Sequence, residues 1–355
     1  MPTPSNPLSV FVVSTSDRGE KITRPLAEAG VPTTSFTITA VGQVPDLIRA
    51  IGSEDPTVVI VDSLSFAGFA VAVSRVLFSI PYVVRIRGDA MTEHRSTFRR
   101  HLATGTYTQA VKQIPRYVAT MTSLKATRNH LFVSEYLQDL YPSDDERGVV
   151  VNTPCFMLDS ECDENPQTSL DLPEGQKVIL AVANMQYQKK TRGLMQSLGP
   201  LSTVLEKNSD TTLLIAGQGP YQYRVEERAE ALPGDIRVLG YVSEIESLYN
   251  RADIFVHFSL LDGYPSTVLE AYASRTPVVA NDAVGMREQI VDGETGYLVD
   301  LDKPEELERC IGELLDSPKE RERLGEQGYQ YVKSNNDSEV IGSQFESYLT
   351  TFFDE

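Results

Sequence analysis

The sequence predicts an α/β fold of two doubly wound, Rossmann-like parallel-sheet domains, and three observations carry that expectation. The chain has 355 residues, 41% of them hydrophobic, which is enough for two cores because a single core stops growing before this length. Short apolar runs alternate with helix-compatible stretches along most of it. Charge and proline concentrate once, between Asn152 and Gln176, and such a composition marks a linker.

The first apolar run, Leu8 to Ser14, predicts a strand, and the stretch after it to Ala29 a helix. Val58 to Val61, Phe66 to Phe78 and Tyr82 to Ile86 predict strand, helix and strand. Asp62, Ser63, Arg75 and Pro81 interrupt this region, which rules out a membrane-spanning helix there. Further strands are predicted at His130 to Ser134, Gly148 to Val151, Lys177 to Ala183, Thr212 to Ala216, Arg237 to Leu239, Ile254 to His257, Pro277 to Ala280 and Gly296 to Val299. Strands separated by helices imply parallel sheets covered on both faces. The expected domains are 1–155 and 177–337, joined by a linker over 156–176 and followed by a terminal segment, 338–355. Ile341, Phe345, Tyr348, Leu349 and Phe352 would share one face of a helix there and need a surface to dock on. The sequence shows no repeat period and no low-complexity tract.

A formal net charge of −18 argues against bulk nucleic-acid binding. Excess acid with arginine favoured over lysine fits a chain kept soluble in very high salt, hence a halophilic source; an ordinary acidic cytosolic enzyme is the alternative. Cys155, Cys162 and Cys310 show no metal-ligand spacing with the four histidines. Met1 to Pro7 lacks a basic flank before an apolar stretch and does not read as a secretory signal. A cytoplasmic setting is expected.

Ligands of doubly wound proteins bind beyond the carboxyl ends of the strands, where helix N-termini offer backbone N–H groups. The densest candidate region is Val256 to Gly285. A strand ends near His257, a loop carries Asp262, Gly263, Tyr264 and Pro265, and a helix begins near Ser266 with Glu270 in its first turns. Amides around Tyr264, Ser266, Thr267 and Val268 are expected to face an anion, with Gly263 permitting close backbone approach.

Asp262 and Glu270 bracket a Gly-aromatic-Pro turn with seven residues between them, an arrangement that resembles the signature of retaining glycosyltransferase family four. Thr276-Pro-Val-Val-Ala, Gly285 and Asp292-Gly-Glu-Thr-Gly-Tyr-Leu-Val are similar to that family in order and spacing. The resemblance covers roughly Val178 to Val299 and implies the GT-B architecture, two such domains facing a central cleft. It also implies transfer of a hexose from a nucleotide-diphosphate sugar with retention, no metal or other cofactor, and a final helix that crosses back to the first domain. By the same resemblance Glu270 would bind ribose hydroxyls, which suits a carboxylate that accepts two hydrogen bonds. Asp262 would contact the transferred sugar, where the family has the longer Glu. Lys190, with Lys189 beside it, would meet the diphosphate. Asn184 stands at the family's arginine position, and Arg192 is the candidate to replace that charge. Gly217 and Gly219 would lie near the nucleotide, and Gly19 is what remains of the family's glycine pair after the first strand.

Each residue also has a plainer reading. Asp262 and Glu270 alone could be a solvated loop acid and a helix acid near the positive dipole end. Lys189, Lys190 and Arg192 could be a solvated basic turn, and His257 either packs or touches ligand. Asp300 and Asp302 imitate a metal-binding pair, yet Asp302 is expected to cap a helix that starts at Pro304. In the first half, Arg85, Arg87 and Asp89 end a strand, and Arg95, Arg99 and Arg100 follow. They are read either as salt bridges to nearby acids or as an acceptor-side site for phosphate or carboxylate. An acceptor glycan or polyprenyl-phosphate-linked sugar, with peripheral contact at the cytoplasmic membrane face, would suit the second. A nucleotide-sugar epimerase of the same fold and a weakly active nucleotide-sugar-binding partner subunit are the competing functions.

Overall fold

The computed structural model describes residues 7–62, 64, 66–141, 148–159, 173 and 175–351. The chain divides into two units, Met1–Pro154 with Asp337–Glu355, and Cys155–Asn336. Most of the charged stretch before Lys177, with Cys162 in it, lies outside the described residues, as does Phe352.

The first unit holds strands β1 (Val10–Ser14), β2 (Thr33–Thr37), β3 (Val58–Val61), β4 (Tyr82–Ile86), β5 (His130–Phe132) and β6 (Gly148–Val150). They form one sheet in the order β2-β1-β3-β4-β5-β6, with every pairing parallel. Burial explains which strands the sequence exposes to view. β1, β3 and β4 are buried along their whole length and read as apolar runs. The edge strand β2, Thr-Thr-Ser-Phe-Thr, is half in solvent, carries no apolar run, and is absent from the sequence-based expectation.

Helices α1 (Glu20–Glu28), α2 (Val44–Glu54), α3 (Phe66–Phe78), α4 (Ala90–Ala103), α5 (Tyr107–Val111), α6 (Gln113–Ala126) and α7 (Glu135–Leu140) connect these strands. The terminal helix of this unit docks on α1. Its Ile341, Phe345, Tyr348 and Leu349 join Val10, Val12, Ile22, Leu26 and Val83 in one core. Gly342 permits the approach, because a Cβ there would lie 2.1 Å from Pro25 O.

The second unit holds β7 (Lys177–Val182), α8 (Gln188–Lys207), β8 (Thr211–Ala216), α9 (Gln222–Glu230), β9 (Asp235–Gly240), α10 (Ile245–Arg251), β10 (Ile254–His257), α11 (Ser266–Ala273) and β11 (Val278–Asn281). It continues through α12 (Met286–Gln289), β12 (Gly296–Val299), α13 (Pro304–Asp316) and α14 (Pro318–Asn335), and the helix on α1 is then α15 (Ser338–Thr350). The sheet order is β12-β11-β10-β7-β8-β9, again all parallel. The chain therefore builds outward from β7 to β9, returns to β10 beside β7, and builds outward the other way. Helix α8 lies beside α9 and α13, and α11 beside α10 and α14.

One local expectation is corrected. The residue capping α13 is Lys303, without a side-chain cap, and not Asp302. The Asp302 N–H instead donates to Asp300 Oδ1 at 2.9 Å, and the Asp300 N–H to Glu306 Oε2 at 3.2 Å, so the Asp300 and Glu306 carboxylates serve the turn around Pro304.

Phe345 is fully buried, and Phe345→Ala is expected to lower the stability of the first unit by about 3–5 kcal/mol. Urea unfolding would measure it; an unchanged midpoint would mean that α15 contributes no core.

Candidate functional site

The reversal of strand order between β7 and β10 opens a crevice at their carboxyl ends, where the chains leaving the two strands diverge to opposite faces. Both predicted motifs fall there. The loop after β7 leads into α8, whose first turn carries Lys189 and Lys190. The loop after β10 carries Asp262 and leads into α11, which begins at Ser266.

Lys190 and Asp262 meet across this gap: the Lys190 Nζ pairs with Asp262 Oδ1, with the two side chains 19% and 17% exposed. His257 Nε2 stands 3.3 Å from the other carboxylate oxygen, Oδ2, close enough to attract but outside hydrogen-bond geometry. The far ring nitrogen, Nδ1, is 3.2 Å from Thr267 Oγ1 on α11. Burial acts to raise the Asp262 carboxyl, but the Lys190 ammonium and His257 outweigh it and hold the group far below the usual carboxylate range. The backbone around Asp262 is fixed as well. Asp262 N–H and Leu261 N–H donate to Ser259 Oγ at 3.2 and 3.3 Å. Ser259 in turn exchanges two hydrogen bonds with the Asn281 side chain, at 2.8 and 2.9 Å.

Glu270 is held separately. The Tyr249 hydroxyl donates to Glu270 Oε2 at 2.9 Å. Burial, then the Glu270 carboxylate, push the Tyr249 phenol well above its ordinary value, so Tyr249 stays protonated and keeps donating. Tyr249 packs against Phe255, which stacks on His257 with ring centroids 6.3 Å apart.

The loops that frame the crevice approach so closely that only glycine fits at several points. A Cβ at Gly217 (φ +130°) would lie 1.9 Å from Ala183 O, and one at Gly219 (φ +154°) 2.3 Å from the Met185 carbonyl carbon. Next to Asp262 the loops also approach closely: a Cβ at Gly285 would lie 1.6 Å from Gly263 O. Asn184 is exposed and turns inward on its own loop, Oδ1 accepting from Gln186 N–H at 3.0 Å.

Other expectations are revised by position. Lys189 and Arg192 are exposed and stand outside the Lys190–Asp262–His257 cluster. Tyr264 directs its hydroxyl inward to Asn336, which donates to it at 3.1 Å, so the Tyr264 phenol points away from the crevice. The Pro265 carbonyl accepts from Gln289 Nε2 and from the Val268 N–H, so the Val268 amide is already engaged. Ser266 and Thr267 open α11 at the crevice. Gly19 precedes α1 and is buried, where a Cβ would lie 2.9 Å from Ser14 Oγ.

In the first unit Arg85 and Arg87 take the salt-bridge reading. Arg85 is fully buried, its guanidinium donating to Asp62 Oδ1 at 3.2 Å and to Thr153 Oγ1 at 3.4 Å, over the Phe345 ring. It is not placed to meet an acceptor, which corrects that expectation. Arg87 Nε pairs with the same Asp62 oxygen at 3.1 Å but keeps 29% exposure. Asp89 caps α4, accepting from Thr92 N–H at 2.9 Å.

Three contributors escaped the sequence reading. Asn281 ends a strand and Ser259 follows one by two residues, so both lie where ligands of such folds bind; Tyr249, on a short helix, carries no such signal.

Because Asp262 is depressed in the folded chain, its pairing adds stability above its unfolded value, near pH 4, and that contribution fades as pH falls below it. The thermal midpoint of the wild type is therefore expected to exceed that of Lys190→Met by a constant margin between about pH 5 and 8, and the margin to shrink below about pH 4. A margin that grows on acidification would refute the pairing.

Residues 163–331 match the family model described as glycosyl transferases group 1. The mannosyltransferase LpcC of lipopolysaccharide core biosynthesis in Rhizobium leguminosarum bv. viciae is 29% identical over 200 residues, covering 53% of this chain and 56% of that protein. The D-inositol 3-phosphate glycosyltransferase of Corynebacterium urealyticum is 29% identical over 181 residues, 48% and 42% of the two chains. The chain spans about half the length of the curated relatives it matches. Among solved structures, HepE of Anabaena in complex with UDP-glucose superimposes with a TM-score of 0.74 at 15% identity, covering 97% of this chain and 100% of that one. At that identity the likeness speaks for the fold: two parallel-sheet, Rossmann-like domains of six strands each, the architecture of the GT-B glycosyltransferases.

Proposed function

We propose that this chain is a retaining glycosyltransferase that moves a hexose from a nucleotide-diphosphate sugar to a hydroxyl of a glycan or lipid-linked sugar, working at the membrane face. The observation that carries the reading is the joining of Lys190, Asp262 and His257 at the β7/β10 switch point, with Glu270 one short helix segment away. In the reaction the bond from the anomeric carbon to the diphosphate oxygen breaks and one from that carbon to the acceptor oxygen forms. The acceptor proton passes to a phosphate oxygen of the leaving diphosphate, and no metal or other cofactor takes part.

Each group then has a task. The leaving diphosphate gathers negative charge in the transition state, and the Lys190 ammonium meets it in a site of low water content. Asp262, displaced from Lys190 by the incoming phosphates, turns to the sugar hydroxyls while His257 keeps it oriented. Glu270, aligned by Tyr249, accepts from two ribose hydroxyls. The N-terminal turn of α11 at Ser266 and Thr267 adds dipole stabilisation, and Gly217 and Gly219 let backbone approach the nucleotide. The relatives named for sugar transfer favour this reading over an epimerase or a binding subunit. The acidic surface suits activity in high salt, where its self-repulsion is screened.

A screen of UDP-, GDP- and ADP-sugars in low and multimolar salt tests the proposal. One donor is expected to bind and release nucleotide. Lys190→Ala should cut turnover about 10²–10³-fold, and Glu270→Ala should weaken donor binding by roughly tenfold or more. No binding to any nucleotide sugar at either salt would sink the donor site. Tyr249→Phe leaves the packing and removes the hydrogen bond to Glu270, so donor KM is expected to rise several-fold, about 1 kcal/mol, with kcat little changed; an equal fall in kcat would point to a different role.

A further inference from the structure

Helix α6 has its polarity reversed. The residues it buries are Gln113, Thr120 and Ser123, with the Thr120 hydroxyl donating to Leu64 O at 2.7 Å and that of Ser123 to Ala119 O at 2.7 Å. Ile114 and Val118 are 53% and 55% exposed, and Tyr117 beside them is exposed as well. Their spacing places them on one stripe, which Met121 and Lys125 continue. Tyr107 and Val111 of α5 and Leu102 of α4 extend the exposed apolar area, and a shallow groove runs between Tyr117 and Ala126 on the same helix. Water-facing proteins seldom leave so large an apolar surface without a use.

Charge says what covers it. No acidic residue occurs between Glu93 and Glu135, while seven Lys and Arg residues do, in a chain whose net charge is −18. Lys112, Arg116 and Lys125 are exposed along the apolar stripe. We propose that the α5–α6 face docks peripherally on an anionic lipid bilayer. Ile114, Val118 and Val111 enter the boundary between headgroups and acyl chains. Tyr107 and Tyr117 span the polar and apolar zones, and the cations meet lipid phosphates with their stems on the apolar surface. A second copy of the chain is a poorer occupant, because an isologous contact would set this cationic face against itself. The inference deepens the membrane-face part of the proposed function and uses none of its donor residues.

Flotation of the full chain with vesicles tests it, comparing phosphatidylglycerol-containing with pure phosphatidylcholine membranes at about 0.1 M salt, where surface charges act over about 10 Å. The wild type is expected to float with the anionic vesicles. The double variant Ile114→Ser/Val118→Ser should lose at least tenfold in partitioning, and Lys112→Glu/Arg116→Glu a similar factor. The exposed positions predict unchanged thermal midpoints, and the charge variant stands as the second test should the serine variant unfold. Wild type that stays in the buffer with both vesicle types, or variants that float as well as it does, would overturn the proposal. A dimer in sedimentation velocity that the serine variant abolishes, without flotation, would overturn it in favour of a second copy. Nucleotide-sugar binding measured on the same preparations separates the two readings: flotation without donor binding supports the surface and sinks the donor site alone.

Discussion

The reversal of strand order in the second sheet is the constraint from which the candidate site follows. Parallel strands need crossover helices, and a crossover of one hand puts the helices of the two half-sheets on opposite faces. Where β7 and β10 lie side by side, no connection runs between their carboxyl ends. Two loops and two helix N-termini must face each other across that gap. A carboxylate from one side and an ammonium from the other then meet without any long segment to position them, which is what Asp262 and Lys190 do.

The gap is polar but largely closed to water, and this decides how its charges behave. Burial alone would favour a neutral Asp262, yet the Lys190 ammonium and His257 reverse that preference. Such an arrangement stores an oriented cation opposite a movable anion. On the proposed function, an incoming diphosphate takes over the ammonium while the carboxylate passes to a neutral, hydroxyl-rich partner, so no charge is left bare in either state. Rigid framing makes this exchange local. The Ser259–Asn281 hydrogen bonds fix the loop before Asp262, and the glycine contacts at 217, 219 and 285 leave no space for the surrounding backbone to slacken.

Much of this was legible in the sequence, for reasons that also explain what was not. Strands buried along their whole length read as apolar runs, so β3, β4 and β10 have the predicted limits, whereas the half-solvated β2 does not stand out. The acids of the site were legible because they bracket the loop after a strand and the first turns of the helix that follows, whereas the lysine stood out only through the family resemblance. Tyr249 reaches Glu270 from α10 through tertiary packing, and local sequence says nothing of that. Arg85 shows the opposite limit: sequence gives a charge at a strand end, but only the neighbouring strand's Asp62 and the Thr153 segment decide that the charge turns inward. Asp302 does not cap because the capping position of α13 falls one residue later, on Lys303.

Salt gives the cationic α5–α6 face its sharpest physical consequence. An acidic chain is repelled by an anionic surface over roughly the Debye length, about 10 Å at 0.1 M and 3 Å at 1 M. For the proposed docking at low salt, the acid-free segment between Glu93 and Glu135 must therefore both attract lipid phosphates and offset the repulsion of everything else in the chain. At molar salt the repulsion and the attraction fade together, and the contribution left is the apolar one, which excluded salts leave intact or strengthen. A stripe of charge without apolar residues would hold at one ionic strength and fail at the other. Exposed Ile114, Val118 and Val111 among Lys112, Arg116 and Lys125 keep one term in force in each regime, which is the physical reason for a helix to bury its hydroxyls and show its hydrocarbon to the outside.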